Sequence, residues 1–407
     1  MVRIRFATGM IAAQASILLA GCDVDENVSK LLSERTVTFH AILSDDYVTF
    51  GSNRAFNILI LKDKNLDDPL DVDLGVQGTR FVEGGHGNDH IRAGSQLEAV
   101  MYGGPGDDEI VGGLEGDLLV GDQGKDTLDA GPGDDYLVID EFDRFNGGAG
   151  MDRAIYIGSA DFDINISNHE VEIFNSGSGD DFILTDLSSE AAIDGGPGSD
   201  RIYGSWGHDW LMGGKGKDFL EGGFGNDTYI FRRGDGRDTI NDFSFNRRTD
   251  TVYDLYSDGS KRNLKKREVR VREHAGYDRI LFGKEIAPRD LIVRFDGLDL
   301  LFAIKDLKNF SASFDDFEDQ IRLVNWTDIC DRLEYLEFSS GLTIDIATLI
   351  RVNAVSQDSG SFDFATLGTF KSYGFNMEAK PKGCEPRDVI LSTRPVSQEQ
   401  QFTDTAK

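Results

Sequence analysis

Basic residues are scarce in this chain. Lys and Arg number 42 against 72 Asp and Glu in 407 residues, a formal charge of -30 at pH 7. That balance argues against a nucleic-acid partner, whose phosphates call for cationic neutralisation, and in favour of cation binding. Cysteine occurs only at 22, 330 and 384; an exported protein could pair Cys330 with Cys384, and the spacing leaves that open. The apolar run from Phe6 to Leu19 is too short to span a bilayer comfortably, and a 39% apolar composition fits neither a membrane bundle nor a wholly disordered chain. Catalytic signatures are missing too: there is no H-E-x-x-H of a zinc protease and no G-x-S-x-G of a lipase or esterase. Of the six histidines only His86 and His90 approach metal-ligand spacing, and their place inside a glycine-rich unit makes them turn flanks rather than zinc ligands. Acid pairs such as Asp107-Asp108 and Asp134-Asp135 recur too often to be a glycosidase's isolated pair across a cleft.

Glycine and aspartate, by contrast, recur with a period of nine. Residues 103–138 read GGPGDDEIV, GGLEGDLLV, GDQGKDTLD and AGPGDDYLV, and residues 195–230 read GGPGSDRIY, GSWGHDWLM, GGKGKDFLE and GGFGNDTYI. Single copies follow the same scheme at Gly84 (GGHGNDHIR), Gly147 (GGAGMDRAI) and Ser176 (SGSGDDFIL), which brings the units to eleven. Glycine occupies the first, second and fourth places, aspartate the sixth and an aliphatic residue the eighth. GGxGxD can turn sharply because glycine tolerates positive φ and close backbone approach, and the following x-U-x triplet makes a very short strand. Two units then close one turn of a parallel coil, with turns about 4.8 Å apart. Asp108 is thereby expected over Asp126, Asp117 over Asp135, Asp200 over Asp218 and Asp209 over Asp227. The eighth places, Ile110, Leu119, Leu128 and Leu137, then Ile202, Leu211, Leu220 and Tyr229, should form a thin apolar ladder.

Carboxylates held at that spacing repel or protonate unless a cation lies between them. A hard cation that accepts six to eight oxygens in flexible geometry suits stacked loops of carboxylates and carbonyls, which favours Ca²⁺ over Mg²⁺. The candidate ligands are Asp89, Asp108, Asp117, Asp126, Asp135, Asp152, Asp181, Asp200, Asp209, Asp218 and Asp227. The loop glycines Gly103, Gly104, Gly106, Gly195, Gly196, Gly198, Gly213, Gly214, Gly216, Gly222, Gly223 and Gly225 stand with them. Departures from the scheme weaken single sites: Glu115 replaces a fourth-place glycine, Asp122 and Ser205 a second, Ala130 a first, and Ala154 an inward aliphatic. The sites using Asp117 and Asp152 are the least regular.

These units resemble the GGxGxDxUx nonapeptides of the RTX family, the haemolysin-type calcium-binding repeat. The resemblance implies an all-β fold, a right-handed parallel β-roll with Ca²⁺ in its turns. Further on, DRILFGKEI, the strand after Gly297, the Asn325-Trp326 pair and the FSSG at Phe338 resemble the β-rich module that often closes such repeats.

The other segments are read around the coil. Arg3 and Arg5, the apolar run and Leu19-Ala20-Gly21-Cys22 resemble a bacterial lipoprotein signal peptide, which makes 1–21 a signal and Cys22 the lipidated residue. An ordinary cleaved signal or a misjudged start codon stays open. Residues 22–83 are expected as a tether and β-rich cap, 84–155 as the first repeat block, 156–175 as a strand-rich connector and 176–230 as the second block. Residues 231–350 should form a β-rich C-terminal cap and 351–407 a largely irregular tail. Within that cap, 244–274 holds the basic run KRNLKKREVRVRE, read as a solvated loop or one docked on the acidic roll, with anionic lipid headgroups as the other reading. The expected function is a non-catalytic calcium-binding lipoprotein of the bacterial cell envelope, structural or adhesive, with a cell-surface glycan or protein as partner. Two alternatives stand beside it: a type I secreted extracellular RTX protein, and a polysaccharide-acting enzyme with its site on the coil.

Overall fold

The computed structural model describes residues 39–43, 47–52, 57–61, 69–74, 80–94, 98–186, 190–242, 245–255, 261–272, 276–306, 313–328, 332–352 and 362–363. The signal and Cys22, the tether to Arg35, Cys330, Cys384 and most of the tail lie outside them. The described chain is mostly strand with almost no helix, wound into a β-solenoid of about 8 turns. One sheet of 15 strands runs the length of the coil, and the opposite side carries a sheet of 5 strands followed by one of 9.

The period of nine sets this geometry directly. Most x-U-x triplets are three- or four-residue strands whose middle residue points inward, as in Glu109–Val111, Leu118–Val120 and Arg201–Tyr203, while Thr127–Pro132 runs to six. Units pair in parallel with the next but one: Leu128 lies opposite Ile110, Leu137 opposite Leu119, Leu220 opposite Ile202 and Tyr229 opposite Leu211. All eight of these expected ladder residues are at most 1% exposed, so two files of side chains, one from each side, form the core between the sheets. Ala154 also faces inward and is fully buried, and Tyr156 and Phe174 nearby supply bulk.

Two glycine positions need their lack of a side chain. Gly104, at a second place, has φ 99°, and Gly124, at a fourth, has φ 148°. A Cβ on Gly124 would overlap the Gly106 carbonyl oxygen of the turn below. Asp122 holds the second-place conformation without being glycine, at φ 77°, a backbone state that costs an aspartate about 1 kcal/mol or more.

The coil is longer than the repeats. Asp71–Asp73 already pairs with His90–Arg92, and Phe81–Glu83 with Val100–Tyr102, so winding begins before the unit at Gly84. The connector continues it: Ile173–Asn175 joins the long sheet between Arg153–Tyr156 and Ala192–Asp194. On the other side the 5-stranded sheet stops at Arg144–Ala149 and the 9-stranded one starts at Asp163–Asn165. A 3-10 turn, Ile166–His169, fills the break. Its buried Ile166 extends the core, while His169 stacks on Phe145 at 4.2 Å and bonds the Phe145 carbonyl oxygen.

Both ends close by switching from parallel to antiparallel pairing, which stops the turns from propagating. At the start, Phe39–Leu43, Tyr47–Ser52 and Asn57–Leu61 form an antiparallel meander whose last strand joins Phe81–Glu83 in parallel. At the end, Arg279–Phe282 and Tyr335–Phe338 continue the long sheet in parallel before Thr343–Asp345 turns back. Gln320–Leu323 extends the other side, and Asp299–Ile304 and Leu291–Asp296 follow it antiparallel. Trp326 is buried in this module with its indole N–H on the Leu333 carbonyl. One expectation needs correction. The basic run is no loop: Lys261–Arg272 pairs over its length with Phe245–Leu255 in an antiparallel hairpin, because REVRVR alternates as a strand does. The tail, expected as largely irregular from 351, supplies the two-residue strand Phe362–Asp363, which pairs with Ile292 and Val293.

Replacing Gly124 by Ala should destabilise the calcium-loaded coil by about 1–3 kcal/mol through strain and overlap. Thermal unfolding in saturating Ca²⁺ measures this; an unchanged midpoint would contradict the close approach of the two turns.

Candidate metal centres along the coil

The sixth-place aspartates stack as the nine-residue period requires. On the side of the shorter sheets, the backbone N–H of Asp89 donates to Asp108 Oδ1 at 2.7 Å, that of Asp108 to Asp126 at 2.8 Å, and that of Asp126 to Asp143 at 2.9 Å. Asp181, Asp200, Asp218 and Asp238 continue in the same manner at 2.8, 2.9 and 3.2 Å. Along the long sheet, Asp117 donates to Asp135, Asp135 to Asp152 and Asp152 to Glu172; Asp209 then donates to Asp227, Asp227 to Asp278 and Asp278 to Glu334. Every one of the eleven candidate aspartates is at most 3% exposed.

One oxygen of each carboxylate is thus used to hold the turn before it. The other is left over in most of them: Oδ2 of Asp89, Asp108, Asp126, Asp135, Asp152, Asp181, Asp200, Asp218 and Asp227 is buried without a hydrogen-bond partner. Leaving a buried carboxylate oxygen unpaired is costly, so a repeated orphan at the same atom of successive turns marks the place of a ligand. The surroundings fit a hard cation. A Cβ on Gly84 would meet both Asp89 Oδ2 and the Gly103 carbonyl oxygen, and on Gly195 both Asp200 Oδ2 and the Gly213 carbonyl oxygen. First-place glycines therefore keep open a space in which a carboxylate of one turn and a carbonyl of the next converge, the donor set that Ca²⁺ prefers.

Two loops differ, and for one reason. In Asp117 and Asp209 the second oxygen accepts the N–H of the second-place residue, Gly113 at 2.5 Å and Ser205 at 2.8 Å. Neither Gly113 nor Ser205 has the positive φ that Gly104, Gly196, Gly214 and Gly223 share, so the N–H turns toward the carboxylate. Asp152 keeps its unpartnered oxygen despite the small Ala154 beside it.

The electrostatics follow from burial. Desolvation, and after it the neighbouring aspartates, push Asp108, Asp126 and Asp135 up to about 7, and Asp200 and Asp227 up to about 8; backbone N–H groups oppose this only in part. Asp152 and Asp218 rise to about 6 from the same first cause.

A family model of the RTX calcium-binding nonapeptide repeat, in four copies, matches residues 102–137, 194–229 and 203–240. The chain carries RTX-type calcium-binding nonapeptide repeats. No curated protein matches it. The third RTX match runs to residue 240, past the last regular unit, and takes in Asp238. Asp238 was missed by counting glycines, as were Asp143 and Asp278, yet each occupies the sixth place of a turn in space. Their shared signal is the bare D-x-U, in Asp143-Arg-Phe145, Asp238-Thr-Ile240 and Asp278-Arg-Ile280. Burial pushes Asp143 up to about 6 and Asp238 up to about 9, the latter with help from Asp218. The histidine pair is not drawn into these sites: His90 lies on a strand, 3.3 Å from Glu109 and beside Arg92.

For the cation-free RTX coil the sign of the pH dependence is set. Folded carboxyls that titrate near 6–8 hold protons that the unfolded chain releases near 4, so stability falls as pH rises through that window. Calcium-stripped protein should show more strand signal by circular dichroism at about pH 5 than at about pH 8, and saturating Ca²⁺ should abolish the difference. A stripped protein more structured at the higher pH would contradict the burial of these groups.

Proposed function

We propose that this RTX protein is a lipid-anchored, non-catalytic component of the bacterial cell envelope, structural or adhesive, whose coil folds when it binds Ca²⁺. The observation that carries the reading is the row of buried, unpartnered aspartate oxygens repeated through both blocks. A coil whose core is two narrow files of side chains buries little apolar surface per turn against chain entropy, and carboxylate repulsion adds to the cost. Binding free energy of the cation then becomes folding free energy. The non-catalytic part rests on sequence: the protease and esterase motifs are absent, and roughly 60 residues separate Cys22 from the first repeat, fewer than the ~100 of an ordinary catalytic domain. Anchoring rests on the basic start, the apolar run and the small residues before Cys22. For adhesion, Trp206 and Phe224 stack at 4.5 Å on successive turns with Trp206 57% exposed, an aromatic platform of the kind on which a glycan ring or an aromatic side chain can lie.

Two measurements test this. A Ca²⁺ titration followed by circular dichroism should raise the strand signal of stripped protein at millimolar concentrations, with Mg²⁺ ineffective; a signal indifferent to chelator would sink the folding claim. Palmitate should label the protein in its native host and fail to label Cys22→Ser, whereas an unlabelled wild type in the culture medium would support the secreted reading instead.

A further inference from the structure

The last regular turn ends differently from those before it. Beside the orphan oxygens of Asp89 and Asp200 the next first-place residue is a glycine, Gly103 or Gly213, whose carbonyl oxygen lies close by. After Gly222 the strand pairing runs Leu220 opposite Ile240, which puts Asp242 at the level of Gly222. The next sixth place belongs to Asp278, because Thr228 pairs with Arg279. Asp227, Asp242 and Asp278 each present an oxygen to a common point, with the three oxygens within 4.8 Å of one another, and all three side chains are buried. Oδ2 of both Asp227 and Asp278 has no hydrogen-bond partner, and both residues are fully buried. Neither forms an ion pair among the described residues. Tyr229 borders the cluster: its hydroxyl accepts the Gly222 N–H at 2.8 Å and donates to Asp242 Oδ1 at 3.4 Å.

We propose that Asp227, Asp242 and Asp278 form the terminal Ca²⁺ site of the coil, built mainly from carboxylates, which staples the C-terminal module and the base of the basic hairpin to the end of the coil. The identity of the cation rests on the calcium reading of the repeats; the site itself rests on the three side chains. Asp227 and Asp278, withdrawn from water with an unpaired oxygen each, need a compensating positive charge, and among the described residues no side chain provides it. Carboxylate number raises affinity for a hard cation, so this site should fill before those in which carbonyls dominate. Its position gives the binding a structural consequence. The hairpin strands Phe245–Leu255 and Lys261–Arg272 lie wholly between Asp242 and Asp278. A cation held by both residues closes that segment at its feet and joins the chain leaving the coil to the chain that re-enters it at Arg279–Phe282.

The test uses the full chain. Bound calcium is counted by equilibrium dialysis for wild type, Asp242→Asn, Asp278→Asn and the exposed control Asp186→Asn. One fewer ion per chain in the first two variants alone is expected, together with faster tryptic cleavage within residues 245–272 in saturating Ca²⁺. An unchanged count in both variants overturns the site. Terbium luminescence excited through tyrosine supplies a readout on unmodified wild type, since Tyr229 touches the cluster. Its earliest-filling component should fall severalfold in Tyr229→Phe, and a component unaffected by that change counts against the site even if the aspartate variants fold poorly. A wild type that binds no Ca²⁺ at all refutes the repeat reading, whereas intact binding with no loss in the variants refutes this site only.

Discussion

The structure depends on like charges stacked in register inside the protein. A carboxylate every turn, buried to a few per cent exposure, is unfavourable unless something positive lies among them, and the backbone N–H groups that reach them satisfy only one oxygen each. The arrangement therefore stores in the empty coil a repulsion that a hard divalent cation removes. Glycine at the first place keeps the space for that cation, glycine at the second turns its N–H away from the carboxylate, and the eighth-place side chain closes the core behind it. Where the second step fails, at Gly113 and Ser205, the carboxylate is answered from within its own loop and the orphan oxygen vanishes. The exceptions thus follow the rule that explains the majority.

A core of two narrow files of apolar residues, one from each side, also means that no turn is stable alone. Each needs the turns above and below to bury its ladder residues, so the ends decide whether the coil is a closed object. Antiparallel strands supply both ends of the long sheet and the C-terminal end of the 9-stranded one, and Phe282, Phe302 and Trp326 add aromatic bulk to the C-terminal module. Acidic ladders continue into that module through Asp278 and Glu334, so coil and cap share one electrostatic system.

Much of the candidate site was legible from residue spacing. The nine-residue period predicted which aspartates stack on which, because two short units closing one turn leave no other register. The connector and the first turns were less legible, since Leu70, Ala99, Phe162 and Ala191 stand where an aspartate would be and only their N–H groups serve the ladder. Asp143, Asp238 and Asp278 escaped notice because they lack the glycines that advertise a loop, although the D-x-U that makes a strand was present.

By itself the sequence determined the coil, its period, the inward and outward faces and the preference for calcium, since each follows from local glycine conformation and from an alternation repeated every nine residues. Only the tertiary structure decided where the coil begins and ends, that the basic run is a hairpin, and that Asp242 and Asp278 meet Asp227. The meeting of Asp227 with Asp278 depends on a pairing across 51 residues, over which no nine-residue period carries the register.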